Sequence, residues 1–109
     1  MLKCFFFDRD GVLIKNYGYV HEIKKLKWLK GTIEAIKFLN KNKIKVIVIT
    51  NQSGIARGYF SEAELLIFHK KMNQVLFKFK AKIDDFYYCP YHPLGKVKQY
   101  KKKTNLRKP

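Results

Sequence analysis

Residues 4–14, CFFFDRDGVLI, place two aspartates, Asp8 and Asp10, between two apolar runs. Asp10-Gly11 between apolar runs is a strong signal for a β-hairpin turn. The alternative is that the first run is a strand whose end delivers two carboxylates to a site. This stretch by itself leaves both structures open, so the rest of the chain has to decide between them.

The other apolar segments favour a parallel sheet. Residues 2–7 are apolar apart from Lys3 and do not alternate, which is typical of a strand buried on both faces. KIKVIVIT at residues 43–50 is β-branched and predicts a second buried strand, and IDDFYYC at residues 83–89 predicts a third.

Two predicted helices separate these strands. Thr32 can cap a helix with Ile33, Ile36 and Leu39 on its apolar side. Residues 61–64, SEAE, form a capping box that opens a longer helix. Its apolar face is interpreted as core and contains Leu65, Phe68, Met72, Val75, Leu76 and Phe79.

The order β-α-β-α-β predicts an α/β fold with a Rossmann-like parallel sheet and right-handed crossovers. The first strand is then needed in the sheet, which weakens the hairpin interpretation. The 109 residues are enough for one small domain, so we expect a single, partial domain over residues 1–109.

Composition indicates the cellular location of the protein. No apolar run approaches the roughly 20 residues that a membrane span needs, and the N-terminus lacks the pattern of a secretory signal. We therefore expect a cytoplasmic protein without a membrane partner. Cys4 is predicted to be a small core residue, and nothing suggests a disulfide framework.

The chain carries 24 basic and 8 acidic residues, a formal net charge of +16. Such a balance favours anionic partners, namely phosphorylated metabolites, nucleic acid or an anionic surface. Residues 94–109 hold seven basic and no acidic residues. A lysine-rich composition without any ligand is the alternative, and both interpretations stay open here.

Ligands of open α/β sheets collect at the carboxyl ends of the strands, where DRDG, TNQSG and CPYHP are predicted to meet. At a spacing of two, Asp8 and Asp10 can project to the same side. Carboxylates so close repel unless a cation or a proton lies between them, and hard oxygen ligands suit Mg2+. One aspartate could attack phosphorus, and the other could protonate the leaving group and activate water.

The second loop supplies candidate phosphate ligands. Residues 50–54, TNQSG, offer a hydroxyl, an amide and backbone N–H groups for an anion, although an ordinary Asx-type turn would have the same composition. Arg57 could fork onto a second anionic group or be a solvated charge. Lys108, preceded by Arg107, could add positive charge at the phosphate or belong to a solvated basic tail.

The motifs FFFDRDGVL and VIVITNQSGIARGYF resemble the haloacid dehalogenase superfamily of aspartate-nucleophile phosphatases. GYVHEI at residues 18–23, YYCPYHP at residues 87–93 and the terminal RKP are similar to its branch of heptose bisphosphate phosphatases and histidinol-phosphatases. The resemblance covers essentially the whole chain and favours the catalytic loop over a plain hairpin, with room for a small flap after Asp10.

The resemblance implies a role for each matching residue. Asp8 would be the nucleophile and a Mg2+ ligand, and Asp10 the general acid/base that also touches the metal through its backbone carbonyl. The other implied substrate-binding positions are Asn16, Tyr17, Gly18, Tyr19, Thr50, Asn51, Gln52, Ser53, Arg107 and Lys108. Thr50 and Asn51 would hold the phosphate, Arg107 would grip the substrate, and Lys108 would steady nucleophile and phosphate.

The implied function is Mg2+-dependent hydrolysis of D-glycero-D-manno-heptose 1,7-bisphosphate through an aspartyl phosphate, in the biosynthesis of heptose precursors of lipopolysaccharide core. Histidinol phosphate is the competing substrate. A nucleic-acid 3′-end phosphatase would suit the charge, but GYVHEI and CPYHP belong to the branch that acts on small phosphorylated sugars, so we expect no nucleic-acid partner. A catalytically inactive remnant is the remaining alternative.

Two departures from the branch carry expectations of their own. Its zinc clip, Cys-x-His and Cys-x-Cys, is matched here only at Cys89, because Tyr91 replaces the histidine, His92 lies one residue late, and Thr104 and Leu106 replace the cysteines. One ligand of four cannot close a tetrahedral site, so we expect no structural zinc. The family completes its Mg2+ site on a loop beyond RKP, after a strand that lies beside the first one. The sequence ends at Pro109, so the chain is expected to correspond to the front part of such an enzyme, with residues 2–7 as an exposed apolar edge strand.

Overall fold

The computed structural model describes residues 3–101 of the protein. Three strands alternate with two helices along the chain. They are β1 (Lys3–Phe7), α1 (Thr32–Lys41), β2 (Ile44–Asn51), α2 (Glu62–Phe77) and β3 (Asp85–Cys89). Short 3-10 helices lie at Ile23–Lys25 and Lys98–Tyr100.

The strands form one parallel sheet in the order β1-β2-β3. Phe7 is in register with Val48, and Asn51 is in register with Cys89. The predicted α/β fold with a Rossmann-like parallel sheet is therefore confirmed. The hairpin interpretation of residues 4–14 is wrong, because β1 pairs with the distant β2 and not with the apolar run that follows Gly11.

The prediction from its apolar pattern that strand β1 is buried on both faces is wrong, whereas the expectation of an exposed edge strand is confirmed for residues 3–101. It lies at the edge of the described sheet with β2 as its neighbour, and Phe5 and Phe6 are 49% and 57% exposed. Cys4 is exposed as well, so its assignment to the core is wrong. The physical reason is that an apolar strand is buried only where other elements cover it, and among residues 3–101 these side chains of β1 are not covered.

Both helices pack on the central strand. The main core joins Val46 and Val48 of β2 to Ile36 and Leu39 of α1 and to the buried side of α2. The capping box of α2 is confirmed, because the Ser61 hydroxyl accepts from the Glu64 N–H at 3.1 Å and the Glu64 carboxylate accepts from the Ser61 N–H at 3.1 Å.

Two predictions about the helices are wrong, the N-cap of α1 and the membership of the apolar face of α2. Gly31, not Thr32, is the N-cap of α1, and its φ of 86° is the left-handed region that favours glycine. Phe79 lies beyond the end of α2 and is half exposed, whereas His69 takes a buried place on the helix. The described helices include none that is long and apolar enough to cross a bilayer.

A small flap follows Asp10. The N–H groups of Leu13 and Ile14 donate to the Arg9 carbonyl at 3.0 and 3.2 Å, which closes a tight turn. Ile14 then forms an antiparallel bridge with Trp28, so that residues 15–27 make a closed loop. Gly11 has a φ of 82° inside this turn, which explains why the Asp-Gly pair resembles a hairpin signal.

Candidate active site

The carboxyl ends of the three strands bring the predicted loops together. Asp8 directly follows β1, Thr50 and Asn51 end β2, and Cys89 ends β3. Because the strands are parallel and in register, these residues lie along one edge of the sheet. This side of the sheet, at the carboxyl ends of the strands, is where ligands of open α/β sheets bind.

Side-chain alternation divides the DRDG segment between solvent and interior. Asp8 is exposed, Arg9 is fully buried and Asp10 is partly buried. Asp8 Oδ1 accepts a hydrogen bond from the Arg9 backbone N–H at 2.8 Å, which fixes the orientation of this carboxylate. Asp8 is thus open to solvent, whereas Asp10 lies against the buried side chain of Arg9. That the two aspartates project to the same side stays a prediction.

The buried guanidinium of Arg9 grips Asp10. Arg9 Nε and Nη2 donate to Asp10 Oδ1 at 3.1 and 2.9 Å, and Nη2 also lies 3.1 Å from Oδ2. Nη2 further donates to the Val20 carbonyl of the flap at 2.7 Å. Burial lowers the pKa of Arg9, and the carboxylates of Asp10 and then Asp8 oppose that shift. Arg9 and Asp10 thus form an ion pair between a fully buried guanidinium and a partly buried carboxylate. Removing the charges from water costs free energy, and the several hydrogen bonds hold the two side chains in one relative orientation.

Gln52 connects Asp10 to the phosphate-loop candidate. Its Nε2 donates to Asp10 Oδ2 at 3.2 Å and to Thr50 Oγ1 at 2.9 Å, and its backbone N–H donates to the Cys89 carbonyl at 2.8 Å. Gln52 and Thr50 are both buried. The structure therefore gives Gln52 a supporting position between the loops of β1 and β2, with its amide nitrogens already in use.

His69 of α2 lies behind Arg9. Its Nε2 is 3.2 Å from Arg9 Nη1, and its ring stacks on Phe86 with centroids 4.2 Å apart. Burial, and next the positive charge of Arg9, lower the pKa of His69 to about 3. The ring is therefore neutral at pH 7, and since arginine can only donate, Nε2 accepts and Nδ1 carries the proton.

We expect His69 to make the protein less stable as the pH falls. The unfolded chain protonates this histidine below about pH 6.5, whereas the folded chain does so only near pH 3. The stabilisation is therefore fully present above pH 6.5 and is lost towards acid, by about 2 kcal/mol between pH 7 and pH 5. Urea unfolding at both pH values should show this loss in the wild type and not in His69→Gln; equal losses in the two would contradict it.

The flap places the predicted sugar-contact residues beside the β2 loop. Gly18 N–H donates to Asn16 Oδ1 at 2.9 Å, and Tyr17 and Tyr19 are about half exposed. Tyr19 packs edge-on against Tyr59 with ring centroids 4.8 Å apart. Tyr19 of the flap therefore touches the loop after β2, and the sugar-contact role of residues 16–19 stays a prediction.

Of the three predicted basic site residues, the structure describes only Arg57. Arg57 is half-buried in the loop after β2, and within the part of the chain described its Nε has no hydrogen-bond partner. Ser53 is partly exposed at the start of the same loop and accepts from the Arg57 N–H at 3.0 Å. Arg107 and Lys108 lie outside the described residues, so their implied roles stay predictions.

Two tyrosine hydroxyls hold β3 and the segment that follows it to the start of α2. Tyr88 donates to Glu62 Oε1 at 2.7 Å, and Tyr100 donates to Glu62 Oε2 at 2.5 Å. Burial, followed by the bond to Glu62, raises the pKa of Tyr88 to about 12. The bond to Glu62 is the main cause that raises the pKa of Tyr100. We call this arrangement of Glu62, Tyr88 and Tyr100 the tyrosine clip.

Replacing Glu62 by glutamine should open the tyrosine clip. A neutral amide has one accepting oxygen in place of two, so one charge-assisted bond is lost and the other weakens. The free energy of unfolding should fall by about 1–2 kcal/mol in urea titrations. Glu34→Gln is the control, because Glu34 is also a first-turn acid of its helix, α1, and lacks a place in the clip. A loss of the same size in Glu34→Gln would mean that only the helix dipole is involved.

The expected absence of structural zinc stays a prediction. Cys89 is buried at the end of β3, Tyr91 and His92 lie in the following loop, and Thr104 and Leu106 are outside the described residues. Within residues 3–101, histidine, cysteine and carboxylate side chains form no group of three that could hold a metal ion.

Sequence reasoning missed Arg9, His69 and the supporting place of Gln52. Arg9 has no predicted role, although side-chain alternation along residues 8–10 indicates that it turns inward. His69 follows Leu65 by four residues and precedes Met72 by three, so helical periodicity places it on the apolar face. A histidine in that position is the signal that could have revealed the network.

Comparison with known proteins agrees with this geometry. Residues 5–81 match the family model described as haloacid dehalogenase-like hydrolase. D-glycero-beta-D-manno-heptose-1,7-bisphosphate 7-phosphatase of Haemophilus influenzae is 46% identical over 109 residues, which are 100% of this chain and 59% of the relative. The phosphatase of the same name from Escherichia coli K12 is 41% identical over 108 residues, 99% of this chain and 56% of the relative. The chain thus spans less than three-fifths of the length of these relatives.

Solved structures give the same result. The crystal structure of D,D-heptose 1.7-bisphosphate phosphatase from B. bronchiseptica, complexed with magnesium and phosphate, is similar with a TM-score of 0.79 and 33% identity, over 85% of this chain and 52% of that one. A putative HAD-like phosphatase from Mesorhizobium loti superposes with a TM-score of 0.89 and 30% identity, over 98% of this chain and 51% of the other.

Proposed function

Because the chain belongs to the haloacid dehalogenase-like hydrolases, we propose that it acts in a Mg2+-dependent phosphatase that removes one phosphate from D-glycero-D-manno-heptose 1,7-bisphosphate. The reaction would belong to the formation of heptose precursors of lipopolysaccharide core. The observation that carries the proposal is the pair Asp8 and Asp10 beside Thr50 and Asn51 at one sheet edge, in a chain 46% identical to a phosphatase named for that substrate.

Asp8 is suited to be the nucleophile. Its carboxylate is exposed at the end of β1, and Oδ1 is oriented by the Arg9 N–H. An oxygen of Asp8 attacks phosphorus, a bond forms between them, and the bond from phosphorus to the sugar oxygen breaks. The product of this step is an aspartyl phosphate on Asp8 and a free sugar alcohol.

Asp10 is suited to move the proton. In the second step its carboxylate takes a proton from the water that hydrolyses the aspartyl phosphate, and in the first step of the next turnover it gives that proton to the departing sugar oxygen. While Asp10 carries the proton, one of the contacts from Arg9 or Gln52 to its oxygens has to open. Thr50 contributes a hydroxyl whose oxygen accepts from Gln52 at 2.9 Å and whose hydrogen points to the Asn51 carbonyl at 3.4 Å. This long bond would be exchanged for a bond to a phosphate oxygen when substrate binds.

The oxygen donors at this edge fit Mg2+. The Asp8 carboxylate and the Asp10 backbone carbonyl would hold it, because the Asp10 side-chain oxygens are engaged by Arg9 and Gln52. Mg2+ in such sites needs one or two protein carboxylates and keeps water and substrate phosphate as its other ligands. When bound, it supplies positive charge at the transferring phosphoryl group.

Phosphate release from heptose 1,7-bisphosphate tests the proposal. With Mg2+ we expect one phosphate per substrate molecule, and none after chelation with EDTA. Histidinol phosphate and a 3′-phosphorylated oligonucleotide serve as comparison substrates and should be hydrolysed with much lower kcat/KM. No release by the folded protein in Mg2+ would contradict the proposed function, and a preference for the oligonucleotide would replace the substrate.

A further inference from the structure

We propose that Arg9 and His69 act as a buried positioning pair for Asp10, so that helix α2 sets the orientation of the proton-transferring carboxylate. The inference rests on the proposed function, because it concerns how Asp10 performs its role in phosphate transfer. The geometry that carries it is a continuous line of contacts from His69 Nε2 through the Arg9 guanidinium to both oxygens of Asp10.

The first step is the contact between Arg9 and Asp10. Three donor–acceptor distances of 2.9 to 3.1 Å join the guanidinium to the carboxylate. A planar fork against a planar carboxylate fixes rotation as well as distance. Arg9 precedes Asp10 directly in the chain, so this contact alone would leave the pair free to move together. The Val20 carbonyl and Gln52 hold Nη2 from the flap and from the β2 loop, and a third group is needed at Nη1, on the other side of the guanidinium.

Helix α2 supplies that third group. His69 accepts from Arg9 Nη1, and Phe68, the preceding residue on the helix, places its ring under the guanidinium with 5.1 Å from Cζ to the ring centroid. The His69 ring is itself held against Phe86 of β3. The guanidinium is thus fixed by a helix and, through the histidine ring, by the strand at the far side of the sheet.

A purely structural role would not select histidine here. His69 is 3% exposed on an apolar helix face, and its Nδ1 has no hydrogen-bond partner among residues 3–101. A buried N–H without a partner destabilises the folded state, and an apolar side chain of similar size would avoid that cost. The acceptor that His69 offers to Arg9 is what an apolar residue could not supply.

The position of Asp10 matters for the step in which the leaving group receives a proton. A general acid accelerates the loss of a poor leaving group, such as a sugar alkoxide, far more than the loss of a good one. An aryl phosphate such as p-nitrophenyl phosphate releases its phenolate with little need for a proton. A misplaced Asp10 should therefore slow sugar-phosphate hydrolysis selectively, whereas a general loss of structure should slow both reactions.

Two variants of His69 separate the acceptor from the ring. His69→Phe keeps a ring to stack on Phe86 and loses the acceptor; His69→Gln keeps an acceptor near the place of Nε2 and loses the ring. Asn73→Leu is the matched control, because Asn73 is a polar residue of the same helix whose amide bonds the backbone of Ile83 at 2.7 and 2.9 Å, away from Arg9.

We expect His69→Phe to lower kcat for heptose bisphosphate by about tenfold or more, with KM within about twofold, and to lower kcat for p-nitrophenyl phosphate by less than about threefold. His69→Gln should restore most of the lost kcat. Asn73→Leu should leave the ratio of the two rates unchanged. Equal losses on both substrates in His69→Phe, or no loss on either, would overturn the positioning role.

A measurement without turnover distinguishes this inference from the proposed function. In 1H–15N spectra, a clamped Arg9 guanidinium should give separate Nη1 and Nη2 signals in the wild type and in His69→Gln, and averaged signals in His69→Phe. Averaged signals in the wild type would overturn the positioning pair even if the enzyme is active. Separate signals in a protein that hydrolyses no phosphate ester would overturn the proposed function, and the positioning role with it.

Discussion

Asp8→Asn is expected to reduce phosphate release from heptose 1,7-bisphosphate by more than about a thousandfold in kcat/KM. An asparagine amide oxygen is a poor nucleophile toward phosphorus and offers Mg2+ no negative charge. Asp8 is exposed, and its Oδ1 accepts the Arg9 backbone N–H at 2.8 Å, a bond that the asparagine oxygen can also accept. The substitution should therefore remove chemistry and leave the fold intact.

Asp85→Asn is the matched control for this variant. Asp85 begins β3 at the opposite end of the sheet and, like Asp8, accepts the N–H of the next residue, with 2.9 Å from Asp85 Oδ1 to Phe86 N. It should retain wild-type kcat/KM. If Asp8→Asn retained more than about a tenth of the activity, another group would have to be the nucleophile.

Phe68→Ala is expected to lower the free energy of unfolding by about 3–5 kcal/mol. Phe68 is 1% exposed within the main core, and its ring faces the buried guanidinium of Arg9. The variant leaves a cavity and also removes the aromatic face that partly compensates a buried cation. Urea unfolding at pH 7 gives the measurement.

Phe68→Leu and Leu76→Ala separate the two contributions. Leucine fills much of the space of phenylalanine without an aromatic face, so the remaining loss should be about 1–2 kcal/mol. Leu76 is equally buried on α2, and Leu76→Ala should cost about 2–5 kcal/mol while the activity per folded molecule stays unchanged. A loss below about 1 kcal/mol in Phe68→Ala would mean that the core collapses around the cavity and that Arg9 does not depend on the ring.

The buried pair of Arg9 and Asp10 is costly for stability and useful for geometry. The free-energy cost of removing the two charges from water is offset only when every donor finds an acceptor. Here the guanidinium contacts Asp10, the Val20 carbonyl, Gln52 and His69. The same contacts attach the flap, through Val20, to the group that orients Asp10. The proposed substrate contacts on the flap and the proposed proton transfer at Asp10 would thus be supported by one side chain, that of Arg9.

Much of the fold could be predicted from local patterns. The β-branched run before TNQSG predicts β2, and the SEAE capping box predicts the start of α2 to the residue, because both signals depend on neighbours within about four positions. Local patterns failed at β1, since an apolar strand does not state whether anything covers it. They also failed at Thr32, because Gly31 reaches the left-handed conformation that a helix start can use.

The sequence by itself determined the order of strands and helices and the pair of aspartates at the end of the first strand, because spacing and side-chain alternation are properties of the chain alone. Only the tertiary structure decided that Arg9 meets His69, 60 positions away, and that Glu62 receives the hydroxyls of Tyr88 and Tyr100. Periodicity indicates which face of an element is buried, but the partner on that face depends on how the crossovers pack helices against the sheet. The sequence therefore places Asp10 next to Arg9. The orientation of the Asp10 carboxylate depends in addition on how helix α2, which begins more than fifty residues later, packs against Arg9.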